Sequence, residues 1–330
     1  LSLPIKLDLL MTEFKSINNI LIIGMAGGLA KLTAKLIERK YPNINILGVD
    51  SRHSTTETNK KNIEFRRIRY TRGNFEKIFR ERSFDLVLHL GRMSHANNDH
   101  NSLIKRLDLN LMGTSRILDL ALKHHVKKVI ILSTYHVYGA LHDNPVFIDE
   151  NHPLRASIRC PELRDVVEMD QISTNWMWKN QNEIQTIVFR PCSIIGPQIK
   201  NTMSQYLTTS YVPVPIDFNP MFQFLHEFDM AQVLVESMVK VPTGIYNVAP
   251  NDVISLKDAK IHMEEPIIPV PIFMLEQAAK VIKFVWSFPD YFINYIKFSC
   301  IIDNRALKKH LGEDFFRFNA KESLELLKMD

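Results

Sequence analysis

Along the first 190 residues the apolar positions fall into short continuous runs, each followed by a stretch in which they recur every three or four residues. The runs at 20–24, 44–50, 63–69, 84–90, 128–133 and 185–190 are rich in Ile, Leu and Val, and their length predicts buried strands. The stretches at 29–40, 74–82, 101–124 and roughly 161–179 carry the helical period. Strands alternating with helices in this way predict an α/β fold built on a doubly wound parallel sheet of at least six strands. Beyond residue 190 the pattern breaks up, because nine prolines between Pro197 and Pro271 cut the chain into short elements. The chain therefore divides into a sheet-forming part, 1–190, and a smaller C-terminal lobe, 191–330. A helix at 229–240 and a strand at 244–248 are placed to return to the first part.

Composition narrows the possibilities. A chain of 330 residues with 45% apolar content can bury a large core. Its three cysteines, Cys160, Cys192 and Cys300, form no Cys-x-x-Cys pair, which fits a reducing, cytoplasmic setting. Lys6, Asp8, Glu13 and Lys15 interrupt the first 20 residues, so no secretory signal is expected. The apolar region 267–296 is broken by Glu276, Lys280, Lys283, Pro289 and Asp290 and falls short of the ~20 residues that span a bilayer. Within it, Phe273, Leu275, Ile282, Phe284 and Trp286 read as a helix buried against the lobe; exposed, they would suit peripheral membrane contact or a lipophilic substrate.

The net charge of +5 is mild. Its densest cluster, Lys60, Lys61, Arg66, Arg67, Arg69 and Arg72, lacks an aromatic-rich binding motif and reads as a solvated or phosphate-facing rim, with no nucleic-acid partner. His89, His95 and His100 share no helical face and are joined by no cysteine, so no metal site is expected. Ser133 and His136 lie in no Gly-x-Ser-x-Gly elbow, which argues against a hydrolase.

The clearest chemistry lies at the end of the first strand, which runs into Gly24-Met-Ala26-Gly27-Gly28-Leu29-Ala30 and then a helix. Gly24 permits the tight turn, Gly27 lets a pyrophosphate approach the backbone, and small Ala30 lets helix and strand pack closely. The helix N-terminus adds free N–H groups and a positive dipole end. Asp50 closes the second strand twenty residues after Ala30, where a carboxylate receives the adenosine-ribose hydroxyls. NAD is therefore expected over NADP, although Arg52, two residues on, has the chemistry to meet a 2′-phosphate.

Further segments resemble the extended short-chain dehydrogenase/reductases, the NAD-dependent epimerase/dehydratase family with a Rossmann-like sheet. Asp85-Leu-Val-Leu-His89-Leu90-Gly91 is similar to the family's fourth strand, Asn110-Leu-Met-Gly113-Thr114 to its bracing helix, and Arg190-Pro191-Cys-Ser-Ile-Ile-Gly196-Pro197 to its segment beside the nicotinamide. Lys128-Val-Ile-Ile-Leu-Ser133-Thr134-Tyr-His136-Val-Tyr138-Gly139 resembles the fifth strand, with Thr134 at the position of the catalytic serine or threonine. Leu132–Gly139, Asn201-Thr-Met203 and Met221-Phe-Gln-Phe-Leu-His226 point to a UDP-glucose 4-epimerase-like subgroup. The resemblance runs from about Asn19 to the C-terminus. It implies NAD held by Gly24, Ala26, Gly27, Gly28, Leu29, Asp50, Ser51, Arg52, Leu90, Gly91, Asn110, Ser133, Arg190 and Pro191. A homodimer through helices 101–124 and 161–179, as in relatives, stays open.

Three departures matter. The family's Tyr-x-x-x-Lys pair falls on Glu162 and Val166, or one residue later on Leu163 and Val167, so neither register supplies the tyrosine and lysine. Thr134, His136 and Glu162 are the candidates to move the proton instead. The arginine that pairs with a nucleotide diphosphate falls on Phe222; Phe218, Phe222 and Phe224 read as core packing, with an apolar ligand as the alternative. The third strand ends in Ile68-Arg69-Tyr70, where relatives offer an aspartate to adenine. The leading reading is an NAD-binding epimerase/dehydratase-like oxidoreductase acting on a small molecule, a nucleotide sugar, with a substituted acid/base. The alternatives are a silent NAD-binding sensor or scaffold and a dehydrogenase of a lipophilic alcohol.

Overall fold

The computed structural model describes residues 17–53, 62–91, 106, 108–277 and 288–329. Six strands follow the predicted runs: β1 (Asn19–Ile23), β2 (Asn45–Asp50), β3 (Ile63–Arg67), β4 (Leu86–His89), β5 (Lys128–Leu132) and β6 (Gln185–Pro191). A seventh, β7 (Gly244–Val248), returns from the C-terminal half and pairs with β6. The order across the sheet is β3-β2-β1-β4-β5-β6-β7, and every pairing is parallel. Because the order reverses between β1 and β4, a crevice opens at the carboxyl ends of those strands.

The near-continuous apolar runs follow from burial on both faces of the sheet. Ile20 and Ile22 pack to one side with the helix α1 (Gly28–Lys40), through its Leu29, Ala30, Ala34 and Ile37. Leu21 and Ile23 pack to the other with α2 (Arg72–Glu81) and α3 (Gly113–Lys123), meeting Phe75, Ile78, Phe79, Ile117 and Leu118. The helix α4 (Arg164–Lys179) follows a short 3-10 turn at Pro161–Leu163 and buries Val166, Val167 and Met169.

Several boundaries differ from the sequence expectation, each for a local reason. Helix α2 begins at Arg72, before the expected Asn74, because the Thr71 hydroxyl accepts the Asn74 N–H and caps it. Expected at 229–240, α6 (Glu227–Ser237) starts earlier because His226 Nδ1 accepts the Phe228 N–H at 3.2 Å. The expected single helix 101–124 is interrupted: a π-helical turn, Asp108–Met112, precedes α3. His95, His100, most of 101–107 and the Lys280–Trp286 part of the apolar segment lie outside the described residues, as do Lys60 and Lys61.

In the C-terminal half, three pairs of short strands and α5 (Thr202–Thr208) surround a second apolar cluster centred on Tyr206, Phe224, Leu256, Phe288 and Phe292. The Lys260 ammonium is buried and donates to the carbonyls of Tyr206, Leu207 and Thr209 at 3.3, 3.0 and 2.8 Å. It thereby satisfies carbonyls that the end of α5 leaves without helical partners. Among the described residues no helix is long and apolar enough to cross a membrane.

Two stability predictions follow from buried groups. Lys260→Met leaves those carbonyls unpaired, and urea unfolding should show a loss of about 1–3 kcal/mol. His89, the last residue of β4, is buried with Nε2 2.9 Å from Thr114 Oγ1, and burial pushes its pKa down to about 4 from the ordinary 6.5. The unfolded chain therefore binds a proton that the folded chain refuses, so this contribution is full above pH 6.5 and is lost as pH falls towards 4. Denaturant titrations across that range should show about 3 kcal/mol of pH-dependent loss in the wild type that is absent from His89→Asn.

Candidate functional site

The crevice contains a cavity of about 640 Å³, walled on one side by the turn after β1. The chain leaves β1 with Gly24 at φ +91°, and a side chain there would bring Cβ within 2.5 Å of Gly91 Cα. Only glycine allows this approach of the turn to the end of β4. Gly27 caps α1 without a side-chain hydrogen bond, and the N–H groups of Gly28, Leu29 and Ala30 meet no acceptor among the described residues. Backbone donors, the positive end of a 13-residue helix and the Lys31 side chain thus face the cavity together. Gly28 lies against the Gln198 carbonyl so closely that no Cβ fits between them. Gly24, Ala26, Gly27, Gly28 and Leu29 all line the cavity, with Leu90 and Gly91 beside them. A bare backbone cradle with free N–H groups fits the pyrophosphate of a dinucleotide.

The end of β2 is arranged differently from expectation. Asp50 does not line the cavity; its carboxylate receives the Ala26 N–H at 3.0 Å, the Arg52 N–H at 2.9 Å, and Arg52 Nε and Nη2 at 3.2 and 3.1 Å. Burial disfavours its charge, but the Arg52 hydrogen bonds and charge, with the Ala26 N–H, prevail and hold the carboxyl below its usual range. Arg52 itself lines the cavity. Ser51 is exposed, and its carbonyl accepts Arg67 Nε at 3.0 Å. Tyr70 packs on Phe75, ring centroids 5.5 Å apart, with its hydroxyl beside Gly91.

The cavity floor comes from the end of β5. Thr134 caps the 3-10 turn Tyr135–Val137, accepting the His136 N–H at 3.3 Å, and its Oγ1 lies 3.1 Å from His136 Nδ1. The His136 ring is held edge-on by Tyr291 and Tyr295, with centroids at 5.5 and 4.8 Å, and Tyr135 lies 4.4 Å away. Tyr135 donates or accepts at Ser193 Oγ, 2.9 Å off, and burial raises its phenol well above the ordinary value. Such a phenol keeps its proton near neutral pH. Cys192, also in the wall, is pushed well above the ordinary thiol range by burial and is a poor nucleophile.

Other expected residues turn away from the cavity, although Ser133 and Pro191 line it. Arg190 points into the interior, where Nε and Nη2 donate to Asp170 at 3.0 and 2.7 Å and Nη1 donates to Tyr138 Oη at 2.9 Å. Ser133 Oγ donates to the same Asp170 carboxylate at 2.5 Å. Asn110 Nδ2 donates to Asp165 at 2.7 Å, with buried Arg106 3.7 Å from that carboxylate. Glu162 is half-buried on the Pro161–Leu163 turn and does not line the cavity, so the structure brings Thr134 and His136 together without it. Phe222 and Phe224 stack 5.8 Å apart inside the lobe, and neither they nor exposed Phe218 line the cavity. Sequence reasoning missed Lys31, Ser193, Gln198, Tyr291 and Phe292 as wall residues, and Asp170 as the group that anchors the floor. The Arg-Pro segment held a signal for Asp170, since a buried arginine requires a buried acid.

Removing the Asp170 carboxylate leaves Arg190 charged and unpaired in the interior. Asp170→Ala should cost about 3–5 kcal/mol in denaturant unfolding, while Asp170→Ala combined with Arg190→Met should recover much of it.

A Thermotoga maritima UDP-glucose 4-epimerase, solved with UDP-glucose, superimposes with a TM-score of 0.74 at 17% identity, covering 94% of this chain and 97% of that one. A Bacillus anthracis dTDP-glucose 4,6-dehydratase, solved with NAD, gives 0.74 at 18% identity, covering 94% and 96%. An uncharacterized Mycobacterium tuberculosis protein is 23% identical over 287 residues, 85% of this chain and 75% of its own. Residues 20–249 match the NAD dependent epimerase/dehydratase family, and the chain, an oxidoreductase-type Rossmann protein by this match, belongs to that family.

Proposed function

We propose that the protein binds NAD across the carboxyl ends of β1, β2 and β4 and oxidises or reduces a hydroxyl-bearing carbon of a nucleotide sugar, with Thr134 and His136 moving the proton. The observation that carries this reading is the 3.1 Å contact between Thr134 Oγ1 and His136 Nδ1, in the wall of the cavity that also holds the glycine turn. Residues 1–190, with the return near 226–248, hold the cofactor, and 191–330 receive the substrate. The three cysteines are free thiols and support a cytoplasmic setting.

NAD, when bound, supplies a hydride acceptor or donor. The chain's own residues do the rest. Gly27, Gly28 and the first N–H groups of α1 bind the pyrophosphate, and Lys31 adds charge. Thr134 orients the substrate hydroxyl by hydrogen bond, and the His136 imidazole, whose Nδ1 lies 3.1 Å from Thr134 Oγ1, takes or returns the proton. Tyr135 and Tyr295 hold the ring in place by packing and stay protonated.

The named substrate class draws on the UDP-glucose and dTDP-glucose enzymes among the structural neighbours. Lys200, Asn201 and Thr202 offer polar contacts at the lobe wall, while Ile199, Met203 and Phe292 beside them suit a lipophilic alcohol. One sequence feature favours a second reading, an NAD-binding sensor or scaffold without turnover: the segment 161–179 contains no tyrosine, and its one lysine is its last residue.

Calorimetric titration with NAD and NADH, followed by absorbance at 340 nm during addition of UDP-sugars, dTDP-sugars and lipophilic alcohols, separates these readings. Turnover with a nucleotide sugar supports the first, turnover with an apolar alcohol replaces its substrate, and tight binding without turnover leaves the sensor. In an active enzyme, Thr134→Ala and His136→Ala should each lower kcat by about 10²–10⁴-fold with NAD affinity retained. An unchanged kcat in His136→Ala would remove it from the proton path.

A further inference from the structure

We propose that Arg52 makes the adenosine-ribose end of the cavity an acceptor of phosphate, so that the protein takes NADP(H) in addition to NAD(H). This rests on the cofactor site proposed above and adds a specificity to it. A carboxylate has about four lone-pair positions for hydrogen bonds. In Asp50 four donors are already present: two on Oδ1, from the Arg52 N–H and Nε, and two on Oδ2, from the Ala26 N–H and Arg52 Nη2. A ribose 2′-hydroxyl, which would donate to this carboxylate, must first displace Arg52.

The exposed partner of the pair is the cation. The Asp50 side chain is 3% exposed and that of Arg52 is 67% exposed. Arg52 lines the cavity, Asp50 does not, and the Arg52 Nη2 lies 4.0 Å from where a Gly27 Cβ would sit, directly over the turn that receives the pyrophosphate. Among the described residues the Nη1 of Arg52 meets no hydrogen-bond acceptor. Beside it, Arg67 bridges the Ser51 carbonyl and the His53 ring, so a second guanidinium occupies the same edge. A ligand reaching from the glycine turn along β2 thus meets a fixed, partly free guanidinium before any carboxylate. A phosphate monoester on the 2′-oxygen matches that fork, whereas a bare hydroxyl does not. The Asp50 carboxylate then serves to orient Arg52.

The test is calorimetric titration of the full chain with NADH and with NADPH at one pH and ionic strength. The wild type should bind the two with dissociation constants within about tenfold of each other. Arg52→Ala frees Asp50 for the ribose and removes the phosphate contact, and should shift the NADPH-to-NADH affinity ratio towards NADH by about 10–100-fold. Arg52→Lys, which keeps the charge and loses the fork, should shift it by less. The proposal is overturned if the wild type rejects NADPH by more than about 100-fold while binding NADH, or if Arg52→Ala leaves the ratio unchanged. Binding of neither nucleotide overturns the cofactor reading itself, and the proposal with it.

Discussion

The buried ion pair between Asp170 and Arg190 joins three parts of the protein at one carboxylate. Asp170 belongs to α4 and Arg190 to β6, while Ser133 brings in the residue that follows β5. Through Tyr138, which contacts Arg190 and donates to Asn247 Oδ1 at 2.7 Å, the same network reaches β7. Charges this deep must be paired, because an isolated one would cost more than most single contacts return. The network therefore ties these segments to one another. That arrangement sets Thr134 and His136 on the cavity floor.

The two ends of the cavity rely on different physics. At the glycine-turn end much of the wall is backbone, with Arg52 and Lys31 beside it: Gly24 against Gly91, Gly28 against Gln198, and the open first turn of α1. Such a surface has little conformational entropy to lose on binding, because few side chains need to be ordered. At the other end His136 sits among Tyr135, Tyr291 and Tyr295, brought from separate parts of the chain. Aromatic edge-to-face packing fixes a ring's orientation while leaving its nitrogens to hydrogen bonds.

Much of this fold could be read from the sequence because its strands are buried on both faces, which forces uninterrupted apolar runs such as Leu21–Ile23 and Val129–Leu132. The glycine turn was legible for a similar reason, since Gly24 and Gly28 stand where no side chain fits. What sequence spacing could not show was the direction of side chains. Asp50 and Arg52 are two residues apart, and only the folded chain shows that the arginine curls back over the acid. Tyr291 and Phe292 come from the irregular C-terminal half, where the period of the apolar pattern gives no guide to what they approach. Spacing alone makes Glu162 a candidate, yet the turn at Pro161–Leu163 leaves it outside the cavity lining.

The contact between Gly28 and Gln198 makes the first residue of α1 a spacer of zero thickness between the helix and the strap after Gly196. Gln198 is held in turn by Glu227 Oε2, which accepts its N–H at 3.0 Å, so the strap after Gly196 is anchored at both ends. A single added carbon at position 28 would collide with the Gln198 carbonyl and act as a wedge, so that either the helix start or the strap must shift. The spacing between the start of α1 and this strap is thus set by the absence of one methyl group.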